Sequence, residues 1–355
     1  MFDSYFSSSM PMSYGRDFSQ PLVEGPTRDM GAVIAAGTSK AFVLSGESLG
    51  GNDPEAVVVA LMEGRNNNGL MDDHYQGNKI AFVWSAPFPS GFVFQFFQYD
   101  KVSGQVLRDM ECSNVAAGCA AYALSSGLAQ LDGELSVSAF NVRTNQHMVL
   151  TPASPNAPWD TEWNVRFWQE DFTAEATGID RENVCSMNGA EVKFWAFERG
   201  NAFVFSLYNP EEATQSLIAA LNEQGGQAVL ASGGDPKKSI NPKVLLYTVT
   251  DVQEDAVCVS VACFFMGEKH KSLPGSGAMT LAGFLAVGHL GANPPMESSG
   301  VMRFCMKHPS GEVWVMAHRV AQGGIHQVVA TEFITPATML FDGSFVLQGA
   351  ADDHG

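Results

Sequence analysis

Residues 110–124 read "MECSNVAAGCAAYAL": a cysteine, two small polar residues, then an alanine-rich run. Alanine is the best helix former and small polar residues favour helix starts, so the spacing predicts a helix over 114–127 with Cys112 just ahead of it. Residues 274–283, "PGSGAMTLAG", have the same build, a small-residue turn leading into an apolar run, at an offset near 162. Two further pairs keep that offset. "GTSKAFVLS" from Gly37 matches "GNAFVFSLY" from Gly200, 163 residues on, and "NKIAFV" places Lys79 where "NPKVLLY" places Lys243, 164 residues on. Each match is weak alone, but three in one order at one offset are hard to obtain by chance. The chain therefore reads as a duplicated unit with a boundary between Val184 and Gly200.

Around these corners lie many strand-like segments, among them "KIAFVWSA", "GFVFQFFQYD", "GELSVSAFNV", "AVCVSVACFF" and "GEVWVMAHRV". Helical patterns are few: 53–63, 114–127, 210–224 and 277–287. Many alternating apolar strands with few helices indicate an α+β protein with curved or barrel-like sheets. The expected organisation is a polar leader over 1–28, one domain over 29–195 and a second over 196–355, with the last segment free to cross back to the first.

The 355 residues are 45% hydrophobic, enough to fill sizeable cores. The formal net charge of −18 repels nucleic acid and anionic membrane surfaces, so neither is an expected partner. The start shows no signal-peptide pattern and no apolar run has membrane-spanning length, so a cytoplasmic protein is expected. The six cysteines form no CxxC pair and no His/Cys cluster of metal-binding spacing, so free thiols and no metal are expected.

An acidic chain needs local help to hold an anion. Two like units facing each other would bring their turn-to-helix corners to opposite walls of one cleft, where unpaired backbone N–H groups bind carboxylates. Cys112 is either core filler or a reactive thiol, since the dipole of a following helix favours the thiolate. Cys119, inside the same helix, reads as packing. Lys79 opens an apolar strand after a glycine turn. It either points inward, where desolvation makes it a usable base, or carries its head out to solvent. Asp72 and Asp73 read as a solvated turn close to Lys79, and His74 as a structural histidine.

The run of "GTSKAFVL", "NKIAFV", "CSNVAAGCAAYA", "NPKVLLYTV", "HKSLPGSGAMTLA" and "KHPSGEVWV" resembles the PrpF family over about residues 30–343. That family has the diaminopimelate epimerase-like fold, two pseudo-symmetric domains that each wrap a barrel-like sheet around a central helix, with the site between them. Its members shift a C=C bond in unsaturated polycarboxylates by a 1,3-proton transfer, without a cofactor. The resemblance implies catalytic roles for Lys79 and Cys112. It implies substrate binding by Thr38, Ser39, Lys40, Ser113, Asn114, His270, Ser276, Gly277, His308 and Ser310. On its own residues, His308 reads as an organiser of its turn.

Three departures matter. Pro274 stands where two-thiol racemases carry the second cysteine, so stereoinversion between opposed thiols is not expected. Ala35 and Ala36 replace the family's arginine-bearing loop, and "TPAT" over 335–338 replaces an arginine-containing segment. Arginine forks are natural carboxylate partners, so their loss points to a substrate with fewer carboxylates, or a larger and more apolar one. The expected activity is isomerisation of a small unsaturated acid or carbonyl compound by a monomer or homodimer. The alternatives are a biosynthetic cyclase or isomerase acting on a larger intermediate, and a non-catalytic small-molecule binding protein. Which of Lys79 and Cys112 is the base stays open.

Overall fold

A computed structural model describes residues 27–37, 39–63, 76–100, 103–173, 182–187, 189–239, 241–253, 256–265, 267–289, 300–322 and 325–347. Most of the expected leader, Thr38, Asp72, Asp73 and His74 lie outside the described residues.

The first half runs β1 (Thr27–Ala36), β2 (Ser39–Ser45), α1 (Pro54–Glu63), β3 (Gln76–Ser85), β4 (Gly91–Asp100), β5 (Gln105–Leu107), α2 (Ser113–Ser125), β6 (Val137–Asn141), β7 (Gln146–Pro152) and β8 (Asp160–Thr173). The second half runs β9 (Asn183–Met187), β10 (Ala190–Arg199), β11 (Asn201–Leu207), α3 (Gln215–Ala231), α4 (Pro236–Ser239), β12 (Lys243–Val252), β13 (Ala256–Phe265), β14 (Glu268–Lys269), α5 (Gly275–Phe284), β15 (Gly300–His308), β16 (Gly311–Gln322) and β17 (Ile325–Leu347).

Strands β1, β2, β3, β4, β6, β7, β8 and β17 pair in that order, and β17 pairs back onto β1, which closes an eight-stranded barrel. The second half repeats the pattern: β10, β11, β12, β13, β15, β16 and β17 pair in order. The parallel pairs recur at matching places, β2 with β3 and β11 with β12, then β4 with β6 and β13 with β15. β17 belongs to both sheets. Its first part pairs with β16 and β8, and its last part, from Ala337, pairs with β1.

Strand alternation sorts side chains between two layers. In β2 and β3, Ala41, Val43, Ala81 and Val83 face the central helix α2, while Phe42, Leu44, Ile80 and Phe82 lie under α1 on the outside. In β11 and β12, Phe203, Phe205, Leu245 and Tyr247 face inward with α5, while Val204, Val244 and Leu246 lie under α3. Helices α2 and α5 are buried on all sides, which is why both are built of Ala, Gly and other apolar or small residues without a polar stripe.

Helix bounds differ from the sequence expectation; the helix expected over 114–127 spans Ser113–Ser125. The helix expected over 210–224 begins at Gln215, because the Thr214 hydroxyl caps it by accepting from the Leu217 N–H at 3.2 Å, after a separate short turn at Pro210–Glu212. It also runs seven residues further, through Gly225 and Gly226. A Cβ at Gly225 would sit 2.2 Å from Val204, so glycine there is what lets α3 lie close on β11. The helix expected over 277–287 starts two residues earlier and gives way to a wide turn over Leu285–His289, in which Gly288 has φ +131°.

Candidate active site

Both central helices begin at the same place. Cys112 is the N-cap residue of α2 and Pro274 that of α5, each in extended conformation and without a side-chain cap. The first intrahelical bonds run from Ala116 N–H to Cys112 O and from Ala278 N–H to Pro274 O. The amides of Ser113–Val115 and Gly275–Gly277 precede those bonds and have no partner within their own helices. The two ends abut: a Cβ on Gly275 would lie 2.4 Å from Ser113 Oγ and 2.5 Å from the Phe333 ring. Two positive dipole ends therefore converge on one spot.

The pocket at this junction is lined by Ser39, Lys79, Gln98, Glu111, Cys112, Ser113, Asn114, Lys243, Phe265, His270, Pro274 and Ser276, among others. Its volume is about 40 Å³. Strand parity explains the membership. Lys79 shares the inward face of β3 with Ala81 and Val83, and Lys243 shares that of β12 with Leu245 and Tyr247. Lys40 has the parity of Phe42 and Leu44; it is buried on β2 but does not line the pocket.

Lys79 Nζ donates to Ser39 Oγ at 2.8 Å, and Ser39 Oγ lies 3.7 Å from Cys112 Sγ. This relay joins the amine and the thiol through one hydroxyl. Burial holds the Lys79 ammonium below the ordinary lysine range, with a negative charge on Cys112 acting in the opposite direction. Lys243 is likewise lowered, first by burial; Cys263 and Cys112 oppose this, and Lys79 adds to it. The Lys243 ammonium sits 5.9 Å from the ring centres of Phe203 and Phe265. Burial, together with Lys243 and Lys79, pushes His270 down to about 4, so its imidazole is neutral at pH 7. Cys119, the expected packing residue, is wholly buried and its thiol is pushed well up by burial.

Of the residues expected from sequence, Ser39, Lys79, Cys112, Ser113, Asn114, His270 and Ser276 meet in this pocket. Gly277 lies in the first turn of α5 against Leu245. His308 and Ser310 lie on the β15–β16 hairpin outside the pocket lining. There the Ser310 amide donates to His308 Nδ1 at 3.3 Å, and the Ser310 hydroxyl donates to the Lys271 carbonyl, bracing the approach to α5. The "TPAT" segment abuts the site: Thr335 Oγ1 donates to Asn114 Oδ1 at 3.0 Å, and the Gly37 N–H donates to Pro336 O at 2.8 Å.

Two charge-bearing lining residues, Lys243 and Glu111, were not among the expected site residues. Lys243 was visible as the repeat partner of Lys79, but nothing else marked it. Glu111 carried only its position beside Cys112. Its carboxylate is 4% exposed, and burial raises it to about 8, against the Asn141 hydrogen bond and the charges of Lys238 and Lys243. Asn141 Nδ2 donates to Oε1 at 3.1 Å, while Asn201 Nδ2, from the second half, donates to the Glu111 carbonyl at 3.3 Å. A larger cleft, lined by Asp132, Arg166, Arg199 and Asp235 among others, shares no lining residue with this pocket, and among its described lining residues there is no cysteine or lysine. Among the described residues, no three His, Cys, Asp or Glu side chains are placed to hold a metal ion, and no helix is long and apolar enough to cross a membrane.

No protein-family model matches the chain, and no curated protein matches it. Among solved structures, a methylitaconate-delta-isomerase superposes with a TM-score of 0.62 at 16% identity, over 93% of this chain and 99% of that one. A hydroxyproline epimerase from Agrobacterium vitis, with trans-4-hydroxy-L-proline bound, superposes with a TM-score of 0.52 at 12% identity, over 91% and 94%. The chain thus has the fold of these proteins, the diaminopimelate epimerase-like arrangement of two pseudo-symmetric α+β halves with their central helices meeting end to end.

Proposed function

We propose that this protein is a cofactor-independent isomerase that moves a C=C bond by a 1,3-proton shift in a small unsaturated carboxylate or related carbonyl compound. The observation that carries the reading is the Lys79–Ser39–Cys112 relay at the meeting point of two helix N-termini. A substrate carboxylate or carbonyl bound by the amides of Ser113–Val115 and Gly275–Gly277 gains acidity at its adjacent C–H. Burial holds Lys79 below the ordinary lysine range, which favours its amine as a proton acceptor, and the nearby thiol can carry a proton in either direction. One of the pair takes the proton from one carbon; the C–H electrons become the new C=C, and the old C=C electrons take a proton from the other at the far carbon. With Pro274 at the second helix start, the opposite wall offers no thiol, so inversion between two thiols is not part of the proposal.

The test is deuterium incorporation from D₂O into a panel of small unsaturated acids. Lys79→Ala and Cys112→Ala are each expected to lose at least about 100-fold in rate while circular dichroism stays native. Undiminished exchange in both variants overturns the assignment.

A further inference from the structure

The pocket holds a carboxyl group that the proton shift just described does not use. Glu111 lines it directly beside Cys112, is almost wholly buried, and is fixed from both halves of the molecule. Asn141 donates to Oε1, Asn201 donates to its backbone carbonyl, and a Cβ at Gly200 would come within 2.6 Å of Glu111 Cγ. Gly200 itself has φ +64°, a conformation that favours glycine, so the turn between β10 and β11 closes tightly over this side chain. The other oxygen, Oε2, is buried and has no hydrogen-bond partner among the described residues. Ser113 Oγ and Asn201 Oδ1 nearby are likewise buried without a partner among the described residues; such atoms are costly and are normally met by a ligand or water.

We propose that Glu111 is a substrate-binding residue that, as the neutral acid, donates a hydrogen bond from Oε2 to an oxygen of the substrate. Oε1 already accepts from Asn141, so the carboxyl proton belongs on Oε2. A carboxyl raised to about 8 keeps that proton at pH 7. A neutral donor suits a carboxylate or a developing enolate oxygen in a pocket whose described lining holds no arginine. The substrate class this implies is a mono- or dicarboxylate held by one acid–carboxylate hydrogen bond in place of an arginine fork. The inference rests on the isomerase reading for the identity of the bound group, but its test does not require turnover.

The groups facing Glu111 that also titrate are Cys112 beside it, Lys79 on β3, Lys243 on β12, Lys238 on α4 and His270 before α5. Their contribution to pH dependence is common to wild type and to Glu111→Gln, which keeps a neutral donor of the same shape. The experiment is calorimetric binding of crotonate and itaconate from pH 6 to 9.5, with infrared difference spectra at pH 7. Glu111→Gln is expected to bind within about threefold of wild type at pH 6. Above about pH 8, wild-type Kd gains an extra tenfold per pH unit that the variant lacks, as linkage to a single proton requires. In wild type, a protonated-carboxyl band absent from Glu111→Gln shifts on adding either acid. Equal slopes in the two proteins, or a band unmoved by both acids, overturn the proposal. The isomerase reading is judged separately, by proton exchange in Lys79→Ala and Cys112→Ala.

Discussion

Replacing Glu111 by glutamine tests the burial of this carboxyl through stability alone. In the unfolded chain a glutamate ionises at its ordinary 4.5, whereas in the folded protein burial holds it to about 8. Between those values the folded state binds the proton that the unfolded state has released, so its contribution to stability falls as pH rises. Below 4.5 that contribution is flat. The gap is about 3.5 pH units at about 1.36 kcal/mol each, which sets a ceiling near 5 kcal/mol. Relaxation of Asn141 and Lys243 around an ionised carboxylate, and entry of water, bring this to about 3 kcal/mol. Lys79 and Lys243 work in the opposite sense. Their folded values lie below 10.5, so they make the protein more stable as pH rises through their own windows. Only the difference between wild type and Glu111→Gln isolates the glutamate. Urea unfolding followed by circular dichroism at pH 4.5, 6, 7 and 8.5 measures it. The glutamine variant should match wild type near pH 4.5 and become the more stable protein by about 3–5 kcal/mol at pH 8.5. Parallel stability–pH curves, separated by the same amount throughout, would show that the carboxyl ionises as an exposed one does.

Gly275→Ala should destabilise the fold by about 1–3 kcal/mol, because the new methyl meets Ser113 Oγ and Phe333 inside 2.6 Å; Gly277→Ala, whose Cβ has an ordinary 3.4 Å contact with Leu245, should be neutral or slightly stabilising. Equal effects in urea unfolding would refute the abutment of the two helices. Under native conditions iodoacetamide should label Cys112 and Cys258, the two partly exposed cysteines, well before Cys119, Cys185, Cys263 and Cys305. Burial also raises the thiols of those four. Peptide mass mapping that found Cys112 no faster than the four buried thiols would count against a reactive residue at the helix start.

Much of this molecule was legible without coordinates, for a specific reason. Strand parity is a property of the local chain, so once β3 and β12 are recognised, Lys79 and Lys243 must lie on the face of Ala81 and of Leu245. The offset near 162 likewise carried the pairing of Cys112 with Pro274, which the structure places at equivalent helix N-caps. Helix ends were less legible, because Gly225 and Gly226 look like breakers until Val204 is seen beneath them.

The duplicated α+β design and the two small-residue corners are written in local periodicity and composition; the local reading left Lys79 and Cys112 each open between packing and chemistry, and only the family resemblance paired them. Only the tertiary structure decided that β17 serves both sheets, that Ser39 links Lys79 to Cys112, and that Glu111 is a buried acid. Burial of a side chain depends on what the rest of the chain brings against it. For Glu111 that is Asn141, the Gly200 turn and Asn201, between 30 and 90 residues away, and no pattern around position 111 encodes them.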